Sequence, residues 1–177
     1  MNLPTWVTVS RLVGIPILFV LLAEPDDGQR WIAAGVFLLA AGTDWLDGYL
    51  ARRLNQVTDL GKFLDPLVDK LLVLAPLMIL VELAQVPAWG VFLILTRELT
   101  IAGWRVNPAM QKGSSVPGAN LWGKAKTVTQ IGAIALLLSP LAFQVPLLAA
   151  VLFWLAVALT WISGIIYLLP KRATEAA

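Results

Sequence analysis

Cysteine and histidine are both absent from the 177 residues. Their absence excludes disulfides, thiol nucleophiles, imidazole general bases and the usual zinc ligands together. Proton transfer in this chain therefore falls to Asp, Glu, Lys or Tyr. Charge is scarce as well: 14% of residues are charged against 59% hydrophobic, with a net charge of +2. With a mean hydropathy of +0.80, this is the composition of an integral membrane protein rather than a soluble domain. No nucleic-acid partner is expected. Nor is a cleavable secretory signal, because the first apolar stretch carries Arg11 early and has no small-residue cleavage site.

What is present is long apolar runs. Six stretches, roughly 4–24, 30–54, 59–84, 87–108, 119–140 and 145–169, are each long enough to cross a bilayer core as a helix, which takes about 20 residues. Pro and Gly mark every boundary except the one around Asn55–Thr58. No internal repeat or low-complexity tract appears, so the chain reads as a single all-α membrane domain over residues 1–177. If the six spans alternate, Arg11, Arg52, Arg53, Lys62, Lys112, Lys124, Lys126, Lys171 and Arg172 fall on one side. Arg30 alone falls on the other. The positive-inside rule then places both termini, and that whole side, in the cytoplasm.

Against this background stands the stretch DWLDGYLARRLNQVTDLGKFLDPLVDK, residues 44–70. An Asp near the centre of a membrane helix costs about 2.5–3.5 kcal/mol, and this stretch holds Asp44, Asp47, Asp65 and Asp69. At about 100° per residue, Asp44, Asp47, Gly48, Ala51 and Arg52 share one helix face, as Gly61, Asp65 and Asp69 do on the next helix. The short connection makes the two helices antiparallel neighbours, so both acidic faces can converge on one cavity at the cytoplasmic edge. Four hard oxygen donors with no softer ligand nearby suit Mg²⁺ or Mn²⁺. Four carboxylates exceed what one Mg²⁺ takes from protein, so two ions are expected. The small residues Gly48, Ala51 and Gly61 allow either ligand approach or helix packing. Arg52 can hold a phosphate or pair with an Asp. Thr58 can cap the following helix or touch ligand.

The pattern Asp44-x2-Asp47-Gly48-x2-Ala51-Arg52-x8-Gly61-x3-Asp65-x3-Asp69 resembles the signature of the CDP-alcohol phosphatidyltransferase family at all eight positions. The resemblance implies six transmembrane helices, usually in a homodimer, in the inner (plasma) membrane of a bacterium. It implies that Asp44, Asp47 and Asp65 bind metal, and that Asp69 is the general base and also reaches the second ion. It assigns Gly48, Arg52 and Thr58 to the nucleotide-phosphate of a CDP-linked lipid. The opening NLPTWVTVSR is similar to the family's short interfacial segment, which carries Thr5 toward the cytidine. With no His or Cys to act as base or covalent nucleophile, the chemistry reads as direct alcoholysis.

The second half bears on the acceptor. TRELTIAGWR places Arg97 and Arg105 on roughly one helix face, and WGKAKT places Lys124, Lys126 and Thr127 at the cytoplasmic start of the fifth span. Arg97 lies about ten residues, roughly 15 Å, from the outer boundary, where an anchoring cation is not placed; adjacent Glu98 reads as its structural partner. Arg and Lys beside an acidic site suit an acceptor that itself bears phosphate. These segments resemble the branch of the family that transfers the phosphatidyl group of CDP-diacylglycerol to sn-glycerol 3-phosphate. That branch releases phosphatidylglycerol phosphate and CMP. Arg97, Arg105, Lys124 and Lys126 are then the candidates for the acceptor phosphate, within an acceptor region 97–127. Branches using an inositol phosphate or phosphatidylglycerol remain alternatives. A divalent-cation transporter is the alternative of another class. Against it stand the clustering of the acids at one end of two helices and the lack of an inverted repeat.

Overall fold

The computed structural model describes the backbone of residues 3–54, 59–106 and 121–168, and the side chains of residues 11–43, 67–104 and 121–167. The described residues form helices α1 (Leu3–Leu21), α2 (Asp27–Leu54), α3 (Asp59–Glu82), α4 (Ala88–Val106), α5 (Leu121–Leu138), α6 (Leu141–Gln144) and α7 (Pro146–Leu168). Each of the six apolar stretches read from the sequence is matched by one long helix, with α1 and α2 beginning one and three residues ahead of their stretches. The stretch between Ser139 and Pro146, read as a break, holds the single turn α6. Prolines explain it: Pro140 precedes the turn at φ −62° and Pro146 opens α7, the two positions where a missing N–H costs nothing. The predicted interfacial segment is not a separate element, since α1 runs unbroken from Leu3.

Local chemistry sets two further boundaries. Before α2, the Asp26 carboxylate accepts from the Gln29 backbone N–H at 2.7 Å, and the Asp26 N–H donates to the Gln29 side chain at 2.9 Å. This reciprocal pair is a capping box, and it satisfies donors that the first helical turn leaves free. After α3, the N–H of Gln85 bonds the Leu80 carbonyl at 2.9 Å and the N–H of Ala84 bonds that of Val81 at 3.0 Å. That is the Schellman arrangement, and its left-handed position is held by Ala84 at φ 56° where glycine is usual.

Helix α1 lies against α2 and α3, α5 against α7, α2 and α3, and α4 against α7 and α3. Leu18, Phe37, Leu77, Leu80, Ile134 and Leu138 form the centre of the packed core. Helices α4 and α7 approach closely at two glycines. A Cβ on Gly90 would meet the Phe153 ring at 2.8 Å, and one on Gly164 would meet the Arg97 Nε at 2.9 Å. In the first turn of α2, the buried Arg30 guanidinium lies 4.7 Å from the centre of the Phe143 ring. With the Gln85 carboxamide turned so that both its ends are satisfied, Arg30 also donates to its oxygen at 2.7 and 2.8 Å, and its amide donates to the Leu137 carbonyl at 2.8 Å. This buried cation joins α2, the α3–α4 turn and the α5–α6 corner.

Large apolar side chains stand outside this core, among them Val20, Leu39, Phe92, Val128 and Leu147. Among the described residues one helix, Pro146–Tyr167, is by its own length and composition apolar enough to cross a membrane. The described parts of α3, α4 and α5 carry charged residues inside their length, and those charges build the site described next.

Ala84 bears the steric penalty of a left-handed conformation, about 1–2 kcal/mol, against a smaller backbone-entropy penalty for glycine. Ala84→Gly is therefore expected to raise the thermal midpoint of the detergent-solubilised protein, followed by circular dichroism. A lowered midpoint would contradict the assignment of this cap.

Candidate active site

Glu98 lies near the middle of α4, 6% exposed. In so apolar a setting a carboxylate persists only if it is paired and hydrogen-bonded. Three cations meet it. Arg97 Nη1 donates to Oε1 at 2.8 Å, Lys126 Nζ from α5 donates to the same oxygen at 2.5 Å, and Lys70 Nζ from α3 meets Oε2 at 2.5 Å. Lys70 also reaches Asp69 Oδ2 at 3.2 Å. The Asp69 side chain is 46% exposed, so that last contact contributes little, below about 1 kcal/mol. Arg97 continues outward, donating through Nη2 to Ser163 Oγ on α7 at 2.9 Å, and Ser163 donates on to the Thr160 carbonyl at 3.0 Å. One carboxylate thus ties α3, α4, α5 and, through Arg97, α7.

These groups open onto a cavity of about 340 Å³ between α2, α3, α4 and α5. Asp69, Lys70, Glu98, Lys126 and Thr127 form its charged end. Away from that end its wall is nearly all apolar, with Phe37, Leu77, Val91 and Ile94. At the cavity itself Lys70 and Lys126 face Asp69 and Glu98 in equal number, and Arg97 adds a third cation behind Glu98 without lining the cavity. Side chains with fixed donors in a water-poor pocket bind an anion more strongly than they would in bulk water.

The residues singled out from the sequence fall into three groups. Asp69 and Lys126 line the cavity together. Arg97 is paired as the sequence suggested, to Glu98, and is held against Gly164 between α4 and α7; it is not among the residues lining the cavity. Lys124 is exposed and is not among them either. Asp44, Asp47, Gly48 and Arg52 lie on α2, Asp65 on α3, Thr5 on α1 and Arg105 on α4, with side chains outside the described residues; Thr58 is outside them altogether. Asp44 follows Ala41 by three positions and Phe37 by seven on α2, the spacing of one helix face, and Ala41 and Phe37 both line the cavity. Helices α2 and α3 pack against each other, and their acidic stretches flank the same connection. Carboxylate oxygens alone, on two adjoining helices, fit a hard divalent cation. Among the described residues no group of three acids assembles, and Asp69 is the only one of the four aspartates whose side chain they include.

Sequence reasoning missed Lys70 and Gln130. A signal for Lys70 was there: Glu98 lies about ten residues inside its helix, a depth at which an acid requires partners from neighbouring helices. Nothing in the sequence marked Gln130 beyond its four-residue spacing from Lys126.

A sequence model of the CDP-alcohol phosphatidyltransferase family matches residues 1–162. The chain belongs to that family. It is 42% identical to the CDP-diacylglycerol–glycerol-3-phosphate 3-phosphatidyltransferase of Bacillus subtilis, an alignment covering 92% of this chain and 91% of that one. The protein of the same name from Rickettsia bellii is 36% identical, with 94% and 93% covered. The one from Pseudomonas fluorescens is 41% identical over 81% and 75% of the two chains.

Removing one member of a buried charge cluster costs about 3–5 kcal/mol, because its partners keep their desolvation without their attraction. Glu98→Leu, similar in volume, is therefore expected to lower the thermal midpoint sharply. A midpoint equal to that of the unaltered protein would show that the three cations do not depend on Glu98.

Proposed function

We propose that the protein transfers the phosphatidyl group of CDP-diacylglycerol to sn-glycerol 3-phosphate, giving phosphatidylglycerol phosphate and CMP. The observation that carries this reading is the placement of Asp69 in the same cavity as the Lys70–Glu98–Lys126 junction. A carboxylate that can take a proton stands beside ammonium groups that can hold an acceptor's phosphate. The names of the relatives from three bacteria support the same substrates.

In this mechanism the acceptor phosphate is held in the cavity by Lys70 and Lys126, with Arg105 and Lys124 as the further candidates. Arg97 acts at one remove, by fixing Glu98. Asp69 takes the proton of the primary hydroxyl as its oxygen bonds to the β-phosphorus of the CDP-lipid, and the bond from that phosphorus to CMP breaks in line. Gly48 and Arg52 on α2, Thr58 and Thr5 would hold the nucleotide-phosphate. Asp44, Asp47 and Asp65, with Asp69 reaching the second position, would hold two Mg²⁺ or Mn²⁺ ions. Such ions, when bound, neutralise the pyrophosphate and stabilise charge on departing CMP. An acyl-bearing substrate requires the site to lie at a membrane edge. Helices α1 to α5 and α7 would be six spans of a bacterial plasma membrane, with the aspartates on the cytoplasmic side. Exposed apolar side chains such as Val20, Leu39 and Leu147 would then face lipid or a second copy in a homodimer.

Purified protein in detergent, given CDP-diacylglycerol, Mg²⁺ and a panel of alcohols, should release CMP with glycerol 3-phosphate and not with inositol phosphate or phosphatidylglycerol. Asp69→Asn should lose turnover by roughly a hundredfold or more, the scale of general-base removal, while retaining part of its CDP-lipid binding. Release with a different acceptor would refute the assignment of the basic cluster, and near-normal turnover of Asp69→Asn would remove that residue from the base role.

A further inference from the structure

Gln130 lies on α5, 3% exposed, and lines the cavity beside Lys126 and Thr127. Its Nε2 has no hydrogen-bond partner. A buried amide without a partner is destabilising, and the neighbouring wall offers little to pair with, since Phe37, Leu77, Val91 and Ile94 are apolar. Gln130 follows Lys126 by four residues, so the two share a face of α5 about 6 Å apart along the axis. A ligand whose anionic group rests at the Lys70–Glu98–Lys126 junction therefore finds one more polar group a single helical turn away. That group is neutral, and it both donates and accepts.

This chemistry selects the ligand's matching part. A carboxamide in an apolar wall suits an uncharged hydroxyl, which also donates and accepts, and gives no purchase to a second charged group. In glycerol 3-phosphate the phosphate is matched by the lysines and the attacking primary hydroxyl by Asp69. The secondary hydroxyl on the middle carbon is the one polar group left without a counterpart. We propose that Gln130 hydrogen-bonds this secondary hydroxyl and is a specificity-determining residue for the acceptor. The inference rests on the acceptor assigned above and adds the group that reads its middle carbon. A site that hydrogen-bonds a substrate hydroxyl discriminates against the analogue that lacks it, because the site's own polar group then stays unpaired.

The test compares glycerol 3-phosphate with 3-hydroxypropyl phosphate, which lacks only the middle hydroxyl, in the unaltered protein and in Gln130→Met. Met keeps the length and shape of Gln without its polar end. The unaltered protein should prefer glycerol 3-phosphate by about tenfold or more in kcat/KM. Gln130→Met should lose that preference by slowing with glycerol 3-phosphate while keeping its rate with the deoxy acceptor. Both acceptors are assayed on one preparation, so a smaller folded fraction cancels from the ratio. An equal loss on both acceptors would assign Gln130 to packing and overturn the inference, as would a preference that survives the substitution. A raised KM for the CDP-lipid with the acceptor preference intact would place Gln130 against the lipid and overturn it too. Failure of the unaltered protein to use either acceptor would overturn the acceptor assignment itself, an outcome distinguishable from the others because it appears before any substitution is made.

Discussion

The Glu98 carboxylate carries the charged interior of this protein. Its two oxygens hold Lys70 from α3, Lys126 from α5 and its own neighbour Arg97, and Arg97 extends the connection to Ser163 on α7. Helices in a membrane gain little from hydrophobic burial against one another, because lipid is as apolar as their side chains. Close packing and interhelical polar contacts must supply the difference. In the membrane arrangement proposed above, one buried acid would supply such contacts to two other helices directly and to a third through Arg97. Gly164 belongs to the same arrangement, since its lack of a Cβ leaves room for the Arg97 side chain.

The same interaction shapes the chemistry. An isolated ammonium in an apolar cavity loses its charge or leaves for water. Glu98 supplies the opposite charge that Lys126 and Lys70 require in a cavity otherwise lined by residues such as Phe37 and Leu77. Glu98 is shared between the two lysines, and Asp69 stands beside Lys70 in the same cavity. In the proposed mechanism stability and anion binding draw on one set of contacts, and Arg97 completes the set from behind, without lining the cavity itself.

Much of the architecture was legible in the sequence because it depends on features that act along the chain. Pro25, Pro87, Pro140 and Pro146 stand at or beside helix ends through their own backbone restrictions, and the long helices follow the runs they bound to within a few residues. The four aspartates were conspicuous because each is costly where it stands. What lay hidden depends on which helices are neighbours. Arg97 drew attention by its depth, yet whether so deep a cation serves a ligand or another side chain is decided by Glu98, Ser163 and Gly164, two of them on a helix more than sixty residues away. Lys70 drew no attention until α4 brought Glu98 against it. Gln130, an ordinary polar residue in an apolar helix, becomes conspicuous only when its surroundings leave its amide without a partner. The turn α6 was missed for the opposite reason: four residues between two prolines carry too little pattern to distinguish a helical turn from a loop.

If Glu98 organises Lys126 for the acceptor and does not merely stabilise the fold, the two residues act on turnover as a unit. The most direct measurement is a double-mutant cycle on kcat/KM for glycerol 3-phosphate, with Glu98→Gln, Lys126→Met and both together, each corrected for its folded fraction. The account predicts strong non-additivity: once Lys126 is gone, replacing Glu98 costs much less than it does in the unaltered protein. Additive losses, with the two substitutions acting as though the other residue were absent, would contradict it.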